Sequence, residues 1–171
     1  MKNSITTFFF IILSIIFYSC GTRTSHVDFR LGEDGLIYST INDELYTGTI
    51  IDTTDVVIEF QVVNGIKNGS FKSYYLNGQI EKCGYIINDD NVGEWKYYYS
   101  NGQVQSRGSY ENNKPEGKWV SYYKNGNIKC EGNYRNGKQE NNWIYYNEKG
   151  EIINVKLFKE GVFINQLQNL T

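Results

Sequence analysis

Side chains able to do covalent or acid–base chemistry are few in this sequence and stand far apart. The one histidine, His26, precedes the patterned part of the chain. Nucleophilic catalysis by Ser, Thr or Cys needs a general base beside the nucleophile, and no imidazole follows residue 26. Paired carboxylates would need a pocket to separate their proton affinities. The run Asn88-Asp89-Asp90-Asn91 offers oxygen ligands, but it lacks the ligand spacing of a calcium-binding loop and reads as a turn, where Asn and Asp are the default residues. The expectation is a non-enzymatic chain with no cofactor, no metal and no small-molecule substrate.

One cysteine does have a chemical context. Met1-Lys2-Asn3-Ser4 is a short, positively charged start, and the apolar run 5–17 that follows ends at Phe17-Tyr18-Ser19-Cys20-Gly21. That run is short of the roughly 20 residues a membrane-crossing helix needs and suits a signal-peptide core. A small residue directly before Cys, right after the apolar core, resembles the bacterial lipobox, in which the thiol is acylated and becomes the new N-terminus. An ordinary cleaved signal and an uncleaved anchor are the alternatives. The expected organisation is a signal peptide over 1–19, a lipidated N-terminus and polar tether over 20–33 starting at Cys20, a folded domain over 34–165 and a tail over 166–171. The expected location is a bacterial membrane, lipid-anchored, facing the periplasm or the cell surface.

Composition bounds the rest. The chain has 171 residues, 17 Lys plus Arg against 19 Asp plus Glu, and a net charge of -2, which argues against a nucleic-acid partner. Its 15 Tyr, 17 Gly and single Pro fit β-structure with tight turns.

The positioning elements repeat every 24 residues. Gly69, Gly93 and Gly117 recur at that interval, with Asn141 in the fourth place. Phe71, Trp95, Trp119 and Trp143 follow, then Tyr74, Tyr98, Tyr122 and Tyr146, then Tyr75, Tyr99 and Tyr123. The cycle continues through Gly78, Gly102, Gly126 and Gly150, then Ile80, Val104, Ile128 and Ile152, and then Gly84, Gly108 and Gly132. Such self-similarity marks an array of identical supersecondary units.

Each unit reads as a β-hairpin. The segment 94–99 is rich in β-formers, and Asn101-Gly102 is the dipeptide favoured in two-residue type I′ turns. That loop sets Tyr99 opposite Val104, Tyr97 opposite Ser106 and Trp95 opposite Gly108, and by the same arithmetic Trp119 opposite Gly132 and Phe71 opposite Gly84. A ring lying over a neighbouring strand's glycine covers backbone that is otherwise exposed. Alternation places Trp95, Tyr97, Tyr99, Val104, Gly108 and Tyr110 on one face, and Glu94, Lys96, Tyr98, Gln105 and Arg107 on the other. Cys83 and Cys130 fall on opposite faces about 19 Å apart, too far for a disulfide, so both are expected as free thiols. Lys156, where the pattern has Gly, is a polar end to the array. Residues 34–38, 45–49 and 56–63 read as a degenerate first unit, and 161–171 as either a strand or a frayed end. The predicted fold class is all-β: a single elongated, twisted antiparallel sheet of consecutive hairpins.

The pattern G-x-[FW]-x-x-Y-[YN]-x-[NK]-G-x-[IV], followed by a Gly and an aromatic, resembles the variant MORN repeat, and specifically that of bacterial lipoproteins of the YwqK antitoxin type; the lipobox lies outside this motif. The resemblance spans roughly 34–160 and implies the same ribbon of hairpins. The Phe/Trp column with Gly84, Gly108 and Gly132 is expected to be the fold's own packing. The tyrosines, with an apolar body and a polar tip, suit a wet binding surface. Tyr75, Tyr99 and Tyr123, with Tyr74, Tyr98 and Tyr122 beside them, recur about every 10 Å, two strands apart, which fits an extended partner. The favoured function is a lipid-anchored envelope scaffold that binds a protein partner through its aromatic face. An antitoxin or immunity protein against an exported toxin, and membrane-surface binding by the repeats, are the alternatives.

Overall fold

The computed structural model describes residues 29–53 and 56–168, and Cys20, His26 and the signal segment lie outside them. Thirteen strands and no helices make up the described residues. β1 (Phe29–Leu31) and β2 (Ile37–Ser39) pair in a small antiparallel sheet of their own. The other eleven form one antiparallel sheet in strict chain order: β3 (Gly48–Asp52), β4 (Val57–Val63), β5 (Ile66–Tyr74), β6 (Ile80–Ile87), β7 (Asp90–Tyr98), β8 (Val104–Glu111), β9 (Lys114–Tyr122), β10 (Ile128–Arg135), β11 (Lys138–Tyr146), β12 (Ile152–Lys159) and β13 (Val162–Gln168). This is the ribbon of consecutive hairpins that the 24-residue period predicts.

Two kinds of turn alternate along it. Between units, Asn64-Gly65, Asn88-Asp89, Asn112-Asn113, Asn136-Gly137 and Glu160-Gly161 all have positive φ at both residues, the signature of two-residue type I′ turns. Within units the expected type I′ turn at Asn101-Gly102 is replaced by a longer loop. Only Gly102 has positive φ, at 86°, and its N–H donates to the Tyr99 carbonyl at 2.8 Å. That is a type I turn closed by a left-handed glycine, and Asn101 stays right-handed while its Oδ1 accepts from the Gln103 N–H at 3.1 Å.

The longer loop changes the register nearest the turn. Trp95 pairs with Gly108 and Tyr97 with Ser106 as expected, but a bulge then sets Tyr98, rather than Tyr99, opposite Val104. Val104 therefore joins Tyr98 on the charged face. A second correction concerns the rings. Trp95 and Trp119 are in register with the glycine of their own hairpin and Trp143 with Lys156, yet each indole lies over the glycine of the preceding unit: Trp95 over Gly84, Trp119 over Gly108 and Trp143 over Gly132. The pairing skips at these same glycines, and the indole N–H donates to the next residue's carbonyl, Tyr85, Ser109 or Asn133, at 3.2 Å each time. The rings thus bond one unit to the one before it.

One face consequently carries an unbroken ladder of rings. Phe71 and Trp95 have centroids 5.5 Å apart, Trp95 and Tyr110 5.9 Å, Tyr110 and Trp119 5.4 Å, Trp119 and Tyr134 5.7 Å, and Tyr134 and Trp143 5.1 Å. Most contacts along it are edge-to-face, the arrangement the ring quadrupole favours. Trp95 and Trp143 are only 3% and 5% exposed although no second layer among the described residues covers them.

The amino-terminal end differs. Ile37, Ile50, Phe60 and Val62 form a buried cluster with Phe29, Tyr46 and Phe71 packed around it. Ile37 N–H donates to Gly65 O at 2.9 Å, and Gly65 N–H to Tyr46 O at 2.8 Å, which locks the small sheet onto the large one. β1 lies inside the stretch expected as tether to residue 33, and Phe29 packs against the apolar cluster. At the other end β13 spans Val162–Gln168, and the expected boundary at 165 falls inside it.

Candidate functional site

The two tyrosine columns, adjacent in sequence, do different things. Tyr75, Tyr99 and Tyr123 each reach into the next unit and donate their hydroxyl to the backbone carbonyls of Tyr98, Tyr122 and Tyr146, at 2.6, 2.7 and 2.7 Å. Asn77 and Asn125 add parallel clips to the Ser100 and Glu148 carbonyls. Lys124 lies over the Tyr99 ring at 5.8 Å. These half-buried tyrosines are joints between hairpins, and Tyr75 also lines an open groove with Ile51, Val57, Tyr74 and Leu76. The fourth unit has Asn147 in their place.

Tyr74, Tyr98, Tyr122 and Tyr146 lie on the face opposite the ring ladder. Each meets a side chain fifteen residues earlier, on the return strand of the preceding unit: Tyr74 Oη donates to Glu59 at 2.9 Å, Tyr98 Oη lies 3.8 Å from Cys83 Sγ, Arg107 donates to Tyr122 Oη at 3.1 Å, and Tyr146 Oη donates to Glu131 at 2.8 Å. Burial first, and then the Glu131 carboxylate, push the Tyr146 phenol up to about 12. Burial and Glu59 likewise raise Tyr74, and burial and Cys83 raise Tyr98. Glu131 is lowered, chiefly by the Lys118 ammonium at 2.7 Å and then by Tyr146. The row Glu59, Cys83, Arg107, Glu131 was not singled out in the sequence, because its members share a position and no common chemistry.

These tyrosines border a trough. Tyr98, Val104, Lys96, Arg107 and Tyr122 line an open groove of about 420 Å³. A second, of about 280 Å³, shares Arg107 and Tyr122 with the first and adds Val120, Ile128 and Glu131. A third, of about 230 Å³, shares Lys118 and Glu131 with the second and ends at Ile144. The floor is aliphatic and the walls are tyrosine and ion pairs, with Lys96 at 3.1 Å from Glu94 and Arg107 at 4.0 Å.

Residues 67–88, 91–112 and 115–136 share this geometry, hairpin for hairpin. All three match the model for the MORN repeat variant. β11 and β12 continue the same 24-residue period beyond the matched MORN-variant units, with Asn141 at a φ of 59° in the glycine place. The chain matches no curated protein.

Other candidates resolve structurally. Cys83 and Cys130 are free thiols on opposite faces, and burial raises the Cys130 thiol. Among the described residues no group of three potential metal ligands converges. In the 88–91 turn, Asp89 accepts from the Lys67 N–H and Asp90 from the Asn113 amide, so these oxygens close turns.

Proposed function

We propose that this chain is a lipid-anchored repeat scaffold of the bacterial cell envelope, and that it binds an extended segment of a protein partner along the trough of Tyr98 and Tyr122. MORN-variant repeats indicate a scaffold or binding role. The observation that favours this face is the division of labour among the rings: the Phe/Trp ladder and Tyr75, Tyr99 and Tyr123 are spent on joining units, whereas Tyr98 and Tyr122 border open, partly apolar grooves that run on from one unit to the next. Tyrosine flanked by arginine over an aliphatic floor is the composition of a binding hot spot. Cys20 would hold the scaffold at the membrane, since two or more acyl chains give stable anchoring.

The test is in-cell crosslinking followed by affinity capture of the full chain and of Tyr98→Ala/Tyr122→Ala. The double variant is expected to lose at least tenfold of the captured partner while keeping its near-ultraviolet circular dichroism. Undiminished capture would refute the trough. Palmitate labelling that persists in Cys20→Ala would refute the anchor.

A further inference from the structure

On the trough face the same two strand positions meet in every unit: Lys72 opposite Cys83, Lys96 opposite Arg107, Val120 opposite Glu131 and Ile144 opposite Val155. Only the second of these pairs sets two like charges against each other, an arrangement that costs stability in an antiparallel sheet. Relief from within the molecule is partial. Glu94 is shared between the two cations, at 3.1 Å from Lys96 and 4.0 Å from Arg107, and the second distance is too long for a hydrogen bond. Arg107 Nε donates to Tyr122 Oη at 3.1 Å, while among the described residues its terminal nitrogens have no hydrogen-bond acceptor. The side chains of Lys96 and Arg107 stay 39% and 52% exposed. Both line the groove between Tyr98 and Tyr122, over Val104, and no carboxylate lines that groove. Its neighbours along the trough differ: the next groove carries Glu94 and Glu131 beside its cations, and the one at Tyr74 carries Glu59 and no cation.

We infer that the groove between Tyr98 and Tyr122 is a carboxylate seat: the partner segment that lies along the trough is acidic at this point and sets an Asp or Glu side chain between Lys96 and Arg107. The inference rests on the trough reading above and adds the chemistry of the segment. A carboxylate supplies what the pair lacks. It neutralises two opposed cations at once, and its two oxygens match the parallel N–H donors of a guanidinium. Tyr122 Oη accepts from Arg107, which leaves its own proton to donate to the same carboxylate. A protein segment fits better than an anionic membrane. The chain carries a net charge of -2, which a negatively charged bilayer repels as a whole. One carboxylate seated in the groove senses mainly the charges within a Debye length of about 8 Å.

The test is fluorescence anisotropy of the full chain in a neutral detergent, with labelled ten-residue peptides in which Glu, Gln or Lys alternates with Ala. The Glu peptide is expected to bind at least tenfold more tightly than the Gln peptide. Lys96→Gln/Arg107→Gln is expected to reduce that ratio below threefold with unchanged near-ultraviolet circular dichroism. Lys82→Gln/Lys129→Gln removes the same charge outside the groove and is expected to keep the ratio. A ratio near one on the parent chain, a preference for the Lys peptide, or a ratio indifferent to Lys96→Gln/Arg107→Gln would each overturn the seat. So would phosphatidylglycerol vesicles that bind through Lys96 and Arg107 where the Glu peptide does not. Tyr98→Ala/Tyr122→Ala separates this inference from the trough itself. A Glu preference that persists in that variant refutes the trough and supports the cation pair, whereas equal, tyrosine-dependent binding of the Glu and Gln peptides refutes the seat and leaves the trough standing.

Discussion

At the amino-terminal end, β1 and β2 close a second layer over β3 to β5, and the residues at its centre are aliphatic: Ile50 and Val62 are each 1% exposed. From β6 to β12 no described element covers the sheet, and the residues buried on the ladder side are Ile86 and rings that cover one another. The contrast is sharpest at one column. Where later units have Gly84, Gly108 and Gly132, the first has Phe60, which faces Phe71 and joins the capped core. A second layer above lets the position hold a large side chain. Without that layer, the neighbouring unit's ring is the only available cover, and it lies so close that glycine is required. Stability at the capped end comes from a closed core, whereas along the array it comes from what each unit does to the next, as in other one-dimensional repeats.

The largest expected effect separates the two regimes. Ile50→Ala removes three carbons from a site with no room to collapse and should cost about 4 kcal/mol. Because the units are joined pairwise, the loss should concentrate in β1–β5, with slow amide exchange retained in β9–β11. Uniform loss of protection would mean that the array depends on the cap.

Gly108→Ala comes next. A methyl group there would fall inside the Trp119 indole, and overpacking of this kind costs about 3 kcal/mol. Gly93→Ala is the control: its φ is 63° with nothing within 4 Å of the added carbon, so only the left-handed backbone is strained, at about 1 kcal/mol. Asn141 already occupies the equivalent place. Urea unfolding that ranks the two glycines equally would break the ring-over-glycine account.

Tyr99→Phe tests the clips. Losing one hydroxyl that donates to a half-buried carbonyl should cost about 1 kcal/mol, and Tyr98→Phe, whose hydroxyl meets only the Cys83 sulfur, should cost less.

The smallest effect is set by pH. Burial is the leading cause that raises Tyr97, Tyr134, Tyr145 and Tyr146 above the ordinary value of 10.0. A raised folded value means that the stability these phenols contribute is fully present below pH 10 and is lost as pH climbs through their folded values, toward about 12 for Tyr146. Tyrosinate absorbance should therefore lag behind that of free tyrosine above pH 10. Glu131 has the opposite sign: its contribution is present above 4.5 and fades as pH falls below it. Lys118, its partner, is 66% exposed, so that loss should be a few tenths of a kcal/mol.

The array was legible in the sequence because period, alternation and turn residues agree in every unit. Register arithmetic placed Trp95 opposite Gly108 correctly. It is silent on which neighbouring strand the ring leans over, since that depends on the bulge at Gly84 and the indole bond to the Tyr85 carbonyl. Asn-Gly was misread for a similar reason: the dipeptide suits either turn, and the choice rests on the Asn101 side chain capping Gln103. The cap could not be anticipated because Phe29, Ile37 and Tyr46 occur once each, outside any period. The separation of the tyrosine columns was hidden as well, since two adjacent tyrosines carry no sign of which one the next hairpin will use.

The central claim is that the rings have been divided, with one face spent on packing and the other left for a partner. Photocrosslinking residues placed singly at 98 and 122 on the trough, and at 97 and 134 on the ladder, test it directly in living cells. The account predicts partner adducts from 98 and 122 and none from 97 and 134; adducts confined to the ladder positions, or absent from both faces, would contradict it.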